Sequence, residues 1–177
     1  YQQRAVKFKA EFNTSFILEN YNPWDSLNEL YNPKKSSDSL NYNFTVLQNG
    51  VQYGAFVITN SSLFPMKFNI KANDESASIA SLEIFYVPFV PGGDYSYVAD
   101  PLIPADTVNI NAGASQLFLF KVSGKKTGSA GASISVQSGN KESIIKIRTD
   151  VLSLSMPDNL LNANIWAYLK YPMIIDR

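Results

Sequence analysis

Apolar and polar residues alternate one by one along several stretches of this sequence, and no other feature restricts the possible folds so strongly. The alternation runs through residues 6–12, 64–72 and 132–136, where every second residue is apolar. Successive side chains of a β-strand point to opposite faces. Each stretch therefore predicts a strand with one face in a core and the other in water.

Other stretches are apolar at every position, as at residues 55–58, 84–87 and 117–120, and these predict central strands buried on both faces. The last long strand changes face. Its apolar residues share one parity up to Val151 and the other parity from Leu152 onward. This change predicts a bulge or a bend between sheets near Val151.

Short segments rich in Gly, Asn, Asp, Ser and Pro separate these runs, as they do in antiparallel folds. The sequence therefore predicts an all-β protein, an antiparallel β-sandwich of immunoglobulin or jelly-roll type with little helix. We expect residues 1–40 to form an N-terminal strand and an irregular lead-in segment, and residues 41–157 to form the sandwich. Residues 158–177 are expected to be a linker toward a possible following domain.

Composition excludes several classes of function. The 177 residues include 15 basic and 15 acidic residues, so no basic surface is predicted for a nucleic acid. No run of about 18 apolar residues occurs, which argues against membrane insertion. Histidine and cysteine are both absent, which removes Ser-His-Asp triads, Cys nucleophiles and Cys or His metal ligands. We expect no cofactor, no metal and no catalysis by this chain alone.

Several motifs resemble those of a known family, and they occur in the same order. They are a strand ending in Thr-Asn-x-Ser at residues 59–62, the Asp-Pro-Leu-x-Pro sequence of residues 100–104, a strand at residues 113–119, a hairpin at residues 132–147, and residues 151–158. Together they resemble the N-terminal β-sandwich that precedes a catalytic (β/α)-barrel in DUF4091 and glycoside hydrolase family 123-like proteins of Bacteroidetes and related bacteria.

The resemblance implies an accessory domain of a larger secreted or surface carbohydrate-active protein. In that family the catalytic carboxylates lie in the barrel, so none maps onto this sequence. The implied role is to pack against the following domain of the same polypeptide and to orient it. The implied location is extracellular, at the cell surface or in the periplasm of a bacterium.

Aromatic residues in irregular segments suggest an alternative role as a carbohydrate-binding module. Trp24, Tyr95 and Tyr97 lie outside the clear strands, and flat aromatic faces stack well on sugar rings. The same residues are also suited to pinning loops onto the sandwich. Trp166 and Tyr168 follow the last strand, where packing at a domain interface is the favoured interpretation.

Three acidic residues lie in or beside a proline-rich loop. Asp94, Asp100 and Asp106 are favoured as structural or solvated side chains, and the alternatives are a calcium site and a carboxylate pair for glycoside hydrolysis. A further alternative for the whole chain is a structural or adhesive subunit of a bacterial surface assembly that is built by strand addition.

Overall fold

The computed structural model describes residues 1–25, 27, 31–91, 97–99 and 102–155. Within these residues the order of elements is α1 (Gln2–Phe12), β1 (Phe16–Tyr21), β2 (Ser39–Gln48), β3 (Val51–Asn60), β4 (Met66–Asp74), β5 (Ala80–Val87), β6 (Phe89–Pro91), β7 (Tyr97–Ala99), β8 (Ile103–Pro104), β9 (Thr107–Ile110), β10 (Ser115–Gly124), β11 (Gly128–Ser138) and β12 (Lys141–Ser155). No helix in this part of the chain is long and apolar enough to span a membrane.

Two five-stranded sheets face each other. The first sheet has the order β1-β3-β10-β5-β8, and the second has the order β2-β12-β11-β4-β9. Strands β6 and β7 form a separate hairpin. The predicted all-β sandwich is confirmed. The pairs within both sheets are antiparallel except for β2 and β12, which run parallel along residues 39–47 and 144–152.

The core lies between the two sheets and is rich in phenylalanine. Phe56 and Phe118 stack with ring centroids 5.0 Å apart, and Phe16 meets Phe68 edge to face at 5.3 Å. These rings come from alternate positions of strands in both sheets, as the alternation predicts. The strands at residues 55–58 and 117–120 are buried on both faces, apart from the half-buried Leu119.

One close approach in the core requires a glycine. A Cβ atom added to Gly54 on β3 would lie 2.2 Å from Cζ of Phe120 on the neighbouring strand β10. The Phe120 ring is itself enclosed by Tyr42, Phe44 and Phe56. Because the ring has no free space to enter, only a residue without a side chain fits at position 54.

The predicted strand at residues 6–12 is wrong, because these residues form most of helix α1. Ala5 and Phe8 are buried, whereas Val6 is exposed, which is the three-residue spacing of a helix face and not the two-residue spacing of a strand. The segment is rich in Gln, Arg, Ala, Lys and Glu, which favour helix. Asn13 ends the helix in a left-handed conformation, with φ 49°.

The lead-in segment covers the outer face of the first sheet. Leu27 packs there with Val57 and Leu117, and the half-buried Tyr31 joins them. The Arg4 guanidinium of α1 donates a hydrogen bond to the Tyr31 carbonyl oxygen. This sheet face is therefore apolar although it lies outside the sandwich core. Strand β1 pairs with β3, so part of residues 1–40 belongs to the same sheet as the sandwich strands.

The irregularity predicted near Val151 is present. The register between β12 and β2 shifts between Leu152 and Ser155. Val151 is buried, whereas Leu152 and Leu154 are exposed on the other face of the strand.

Candidate functional site

A tight turn after β1 presents Trp24 to solvent. The Asn22 side-chain oxygen accepts a hydrogen bond from the Trp24 backbone N–H at 3.2 Å, and its amide donates to the Asp25 carboxylate at 3.0 Å. The Asp25 backbone N–H donates to the Asn22 carbonyl at 3.1 Å. Asn favours such turns because its side chain bonds the backbone two residues on. Trp24, held on this hydrogen-bonded turn, is 79 % exposed to solvent.

Tyr53 supports the indole ring from the sheet. It lies on the outer face of β3, and its ring centroid is 6.1 Å from that of Trp24 at an interplanar angle of 74°. The opposite strand position is Lys121, which forms an exposed ion pair with Glu83 at 3.0 Å. The Trp24–Tyr53 pair therefore forms an aromatic platform next to a charged strip of sheet.

An open cleft of about 550 Å3 adjoins this platform. Its walls carry carboxylates, amides, hydroxyls and two lysines from β1 and from the segment that follows it: Glu19, Asn20, Tyr21, Asn22, Asp25, Tyr31, Lys34 and Lys35. Tyr21 and Tyr31 meet edge to face, with ring centroids 5.7 Å apart. The cleft thus combines aromatic surface with hydrogen-bonding groups, the combination found in sites for small polar molecules.

Glu19 is the buried anchor of the cleft. Its carboxylate accepts hydrogen bonds from the Tyr31 hydroxyl at 3.2 Å and from the backbone N–H groups of Lys34 and Lys35 at 3.0 and 3.1 Å. A buried carboxylate is tolerated only with such partners. Glu19 therefore ties residues 31–35 to β1.

The tyrosines of the cleft hold their protons more tightly than free tyrosine does. Burial first, and then the negative charge and hydrogen bond of Glu19, raise the pKa of Tyr31 to about 12. Burial and the nearby Asp25 also raise the pKa of Tyr21. Both hydroxyls are neutral near pH 7 and act as hydrogen-bond donors or acceptors rather than as bases.

This arrangement suits binding better than hydrolysis. Glycoside hydrolysis uses two carboxyl groups that face each other across the scissile bond. Here Glu19 is engaged by three donors from its own chain, and Asp25 is bonded to the Asn22 amide. An exposed indole beside amide and hydroxyl groups is instead suited to stacking on a sugar ring and bonding its hydroxyls.

The predicted site residues fall in different places. Trp24 lies on the platform. Tyr95, Trp166 and Tyr168 lie outside the described residues, and Tyr97 is described only as part of the backbone of β7.

Of the three aspartates considered for calcium, Asp94 and Asp100 also lie outside the described residues. Asp106 is exposed, and its carbonyl accepts a hydrogen bond from the Ile70 N–H. No group of three or more acidic side chains suited to a metal occurs in the described part of the chain.

Two residues of the site were missed in the sequence. Tyr53 lies near the start of β3, just before the continuous apolar run at residues 55–58. Glu19 interrupts the otherwise apolar start of β1 (Phe16–Tyr21), and a lone acid in such a strand is a signal of a satisfied buried carboxylate.

Neither a protein-family model nor a characterised protein sequence matches this chain. Among solved structures, a family 123 glycoside hydrolase from Clostridium perfringens, described in work on glycolipid glycan hydrolysis, is similar with a TM-score of 0.64 and 15 % identity. The match covers 81 % of this chain and 28 % of that enzyme's chain.

Two further structures match at lower TM-scores. Domains 4 and 5 of the S-layer protein SbsC match at 0.36 with 12 % identity, over 63 % of this chain and 48 % of theirs. The secreted serine protease VesC from Vibrio cholerae matches with a TM-score of 0.39 and 12 % identity, over 62 % of this chain and 21 % of the protease chain. At such identities the likeness concerns the fold. The resemblance predicted from the motifs is confirmed at that level: this sandwich has the fold of part of a family 123 glycoside hydrolase.

Proposed function

We propose that this sandwich is a non-catalytic accessory domain of a larger exported carbohydrate-active protein, in which it packs against a following catalytic barrel and orients it. One observation carries the proposal: 81 % of this chain matches little more than a quarter of a glycoside hydrolase chain. The absence of histidine and cysteine removes Ser-His-Asp and Cys-dependent catalysis from this chain.

The end of β12 supplies a surface suited to such packing. Leu152 and Leu154 are exposed, the latter to 67 %, and Leu152 is paired with Leu47 of β2 on the same face. Exposed apolar side chains that lie together are typical of contact sites. A neighbouring domain that covered them would remove this apolar surface from water.

Three measurements test the accessory role. The reading frame is expected to encode a barrel after residue 177, with acidic residues at its strand ends, and this chain alone is expected to show no turnover on a panel of aryl glycosides.

In the full-length protein, Leu154→Asp is expected to separate the unfolding of the sandwich from that of the barrel in calorimetry. The control Gln137→Asp, an exposed position of β11, is expected to leave a single transition. Turnover by the isolated chain, or a reading frame without a barrel, contradicts the proposal.

Glycan binding at the Trp24–Tyr53 platform is the second candidate, and the exposure of Trp24 on a bonded turn beside the cleft favours it. A glycan array followed by calorimetry provides the test. We expect Trp24→Ala to weaken binding at least tenfold, since stacking on a sugar is lost. Phe64→Ala is the matched control, because Phe64 is equally exposed (75 %) in the loop after the other end of β3. Equal loss in both variants, or no binding to any glycan, argues against this candidate.

A further inference from the structure

Strand β2 has a long outer edge to which no other described strand is bonded. It is the first strand of the second sheet and pairs only with β12. Apart from that ladder, no backbone hydrogen bond within residues 1–25, 27, 31–91, 97–99 and 102–155 reaches residues 39–46. A strand edge carries a row of unpaired N–H and C=O groups, which is a template for another strand.

The other edges of the two five-stranded sheets are short or have other residues bonded to them. At the edge of β1, the Ser37 N–H donates to the Leu18 carbonyl at 3.1 Å, and residues 34–35 are held against Glu19. Strand β8 has two residues, one of them Pro104, and β9 has four. Short edges and prolines are the usual means of preventing edge pairing. Strand β2 has ten residues with no proline and no charge: Ser-Leu-Asn-Tyr-Asn-Phe-Thr-Val-Leu-Gln.

The sequence of β2 is complementary to itself in antiparallel orientation. Its inner face carries the apolar residues Leu40, Tyr42, Phe44 and Val46, which belong to the core or pack against it. Its outer face carries the exposed, uncharged residues Asn41, Asn43 and Thr45. Directly opposed residues of a continuous sheet must lie on the same face. In two antiparallel copies of β2, the numbers of two opposed residues must therefore be both even or both odd.

The register centred on Asn43 keeps every inner pair apolar. It opposes Tyr42 with Phe44 and Leu40 with Val46, and it places the two copies of Asn43 opposite each other. Aromatic and aliphatic cross-strand pairs of this kind stabilise sheets. Because the strand carries no charged side chain, no like charges meet across the two-fold axis. The half-buried Tyr42 and Phe44 would lose their remaining exposure.

We propose that a second copy of this chain pairs with β2 through this edge, so that the two second sheets join into one ten-stranded sheet about a two-fold axis. Such isologous pairing is the commonest symmetry of homo-oligomers, and strand addition obtains its affinity from main-chain hydrogen bonds.

Sedimentation equilibrium tests the proposal. Over about 10–200 μM, where weak symmetric dimers form, the wild-type chain is expected to approach twice its 19.7 kDa monomer mass. Asn43→Lys places two like charges in direct opposition, and we expect it to raise the dissociation constant at least tenfold with an unchanged far-UV spectrum. Asn109→Lys on β9, at the opposite edge of the same sheet, is expected to leave dimerisation intact.

Covalent trapping gives a second readout that does not depend on the lysine variant folding well. The chain contains no cysteine, so Asn43→Cys introduces a single thiol. Opposed Cα atoms of an antiparallel pair lie about 4.5–5.5 Å apart, within the range of a disulfide. Mild oxidation is expected to yield a disulfide-linked dimer from Asn43→Cys and not from Asn109→Cys. A wild-type chain that stays monomeric at all concentrations, or equal cross-linking in both variants, overturns the proposal.

Discussion

Glu19 is only 4 % exposed, and its carboxylate accepts three hydrogen bonds from residues 31–35. The segment that it holds contains little regular structure of its own, so its position depends on these bonds and on Leu27 and Tyr31 against the sheet. At the scale of single residues, one buried acid therefore fixes the walls of the cleft.

Glu19→Ala is expected to lower the free energy of unfolding by about 3 kcal/mol, because three donors lose a charged acceptor. Glu19→Gln keeps an acceptor oxygen and should cost less. Urea denaturation measures both. Glu83→Ala is the matched control, since Glu83 forms only an exposed ion pair with Lys121 and should change stability by less than about 1 kcal/mol. Equal effects of Glu19→Ala and Glu83→Ala would show that the buried bonds contribute nothing.

Tyr31 makes stability depend on pH in the alkaline range. Its pKa in the folded protein is about 12, against an ordinary value of 10.0. Above pH 10 the unfolded chain releases this proton while the folded chain still holds it. The free energy of unfolding therefore falls as pH rises from about 10 to 12. The stabilising contribution of the neutral Tyr31 hydroxyl is fully present below pH 10. The urea midpoint of the wild type is expected to fall relative to that of Tyr31→Phe between pH 9 and pH 11.5. A constant difference would contradict the assignment.

At the scale of elements, α1 shows why a pattern of apolar residues is not sufficient. Val6, Phe8, Ala10 and Phe12 alternate as in a strand, while Ala5, Phe8 and Phe12 have helical spacing. Phe8 and Phe12 therefore fit both the two-residue spacing of a strand and the spacing of a helix face. The intrinsic preferences of the segment decide between them, because it is rich in Gln, Arg, Ala, Lys and Glu, which favour helix.

Variants of α1 distinguish a helix from a strand at residues 6–12. Phe8→Ala is expected to destabilise by about 3–5 kcal/mol, since a fully buried aromatic ring is removed. Val6→Lys is expected to change stability by less than about 0.5 kcal/mol, because Val6 is 56 % exposed in the helix. Chemical denaturation measures both. Comparable losses at positions 6 and 8 would indicate a strand with both side chains on one face.

The contact between β3 and β10 permits an equally direct test. Gly54→Ala forces a methyl group against the enclosed Phe120 ring and is expected to cost about 1–3 kcal/mol by overpacking. Gly131→Ala is the control on β11, where the nearest atom, at 3.0 Å, belongs to the carboxylate end of the exposed Glu75. Thermal unfolding is expected to show a lower midpoint for position 54 only.

At the scale of the whole molecule, the sandwich was predictable because most of its strands carry their burial pattern in the sequence. The pairing of distant strands was not predictable in the same way. Alternation shows which face of β2 (Ser39–Gln48) is buried, but it does not reveal that its neighbour is β12 or that the two run parallel. The Trp24–Tyr53 contact likewise joins residues whose proximity follows from the β1–β3 register and the intervening turn.

Residues 1–38 are expected to be indispensable to the fold. A chain that begins at Ser39 lacks α1, β1 and the cover over Ala55 and Val57. We expect it to show no cooperative unfolding transition, and we expect a peptide of residues 1–38 added in trans to restore one, as followed by circular dichroism. A truncated chain with the midpoint of the intact protein would place these residues outside the folding unit.

The parallel pairing of β2 with β12 has a consequence for folding during synthesis. The paired residues are roughly a hundred positions apart in the chain, and contacts between distant segments slow folding. Strand β2 leaves the ribosome early but finds its neighbour only after β12 has been translated. Throughout that interval both edges of β2 are open, so the nascent chain has a period of vulnerability to aggregation, and we expect the rate of translation between these two strands to influence the yield of folded protein.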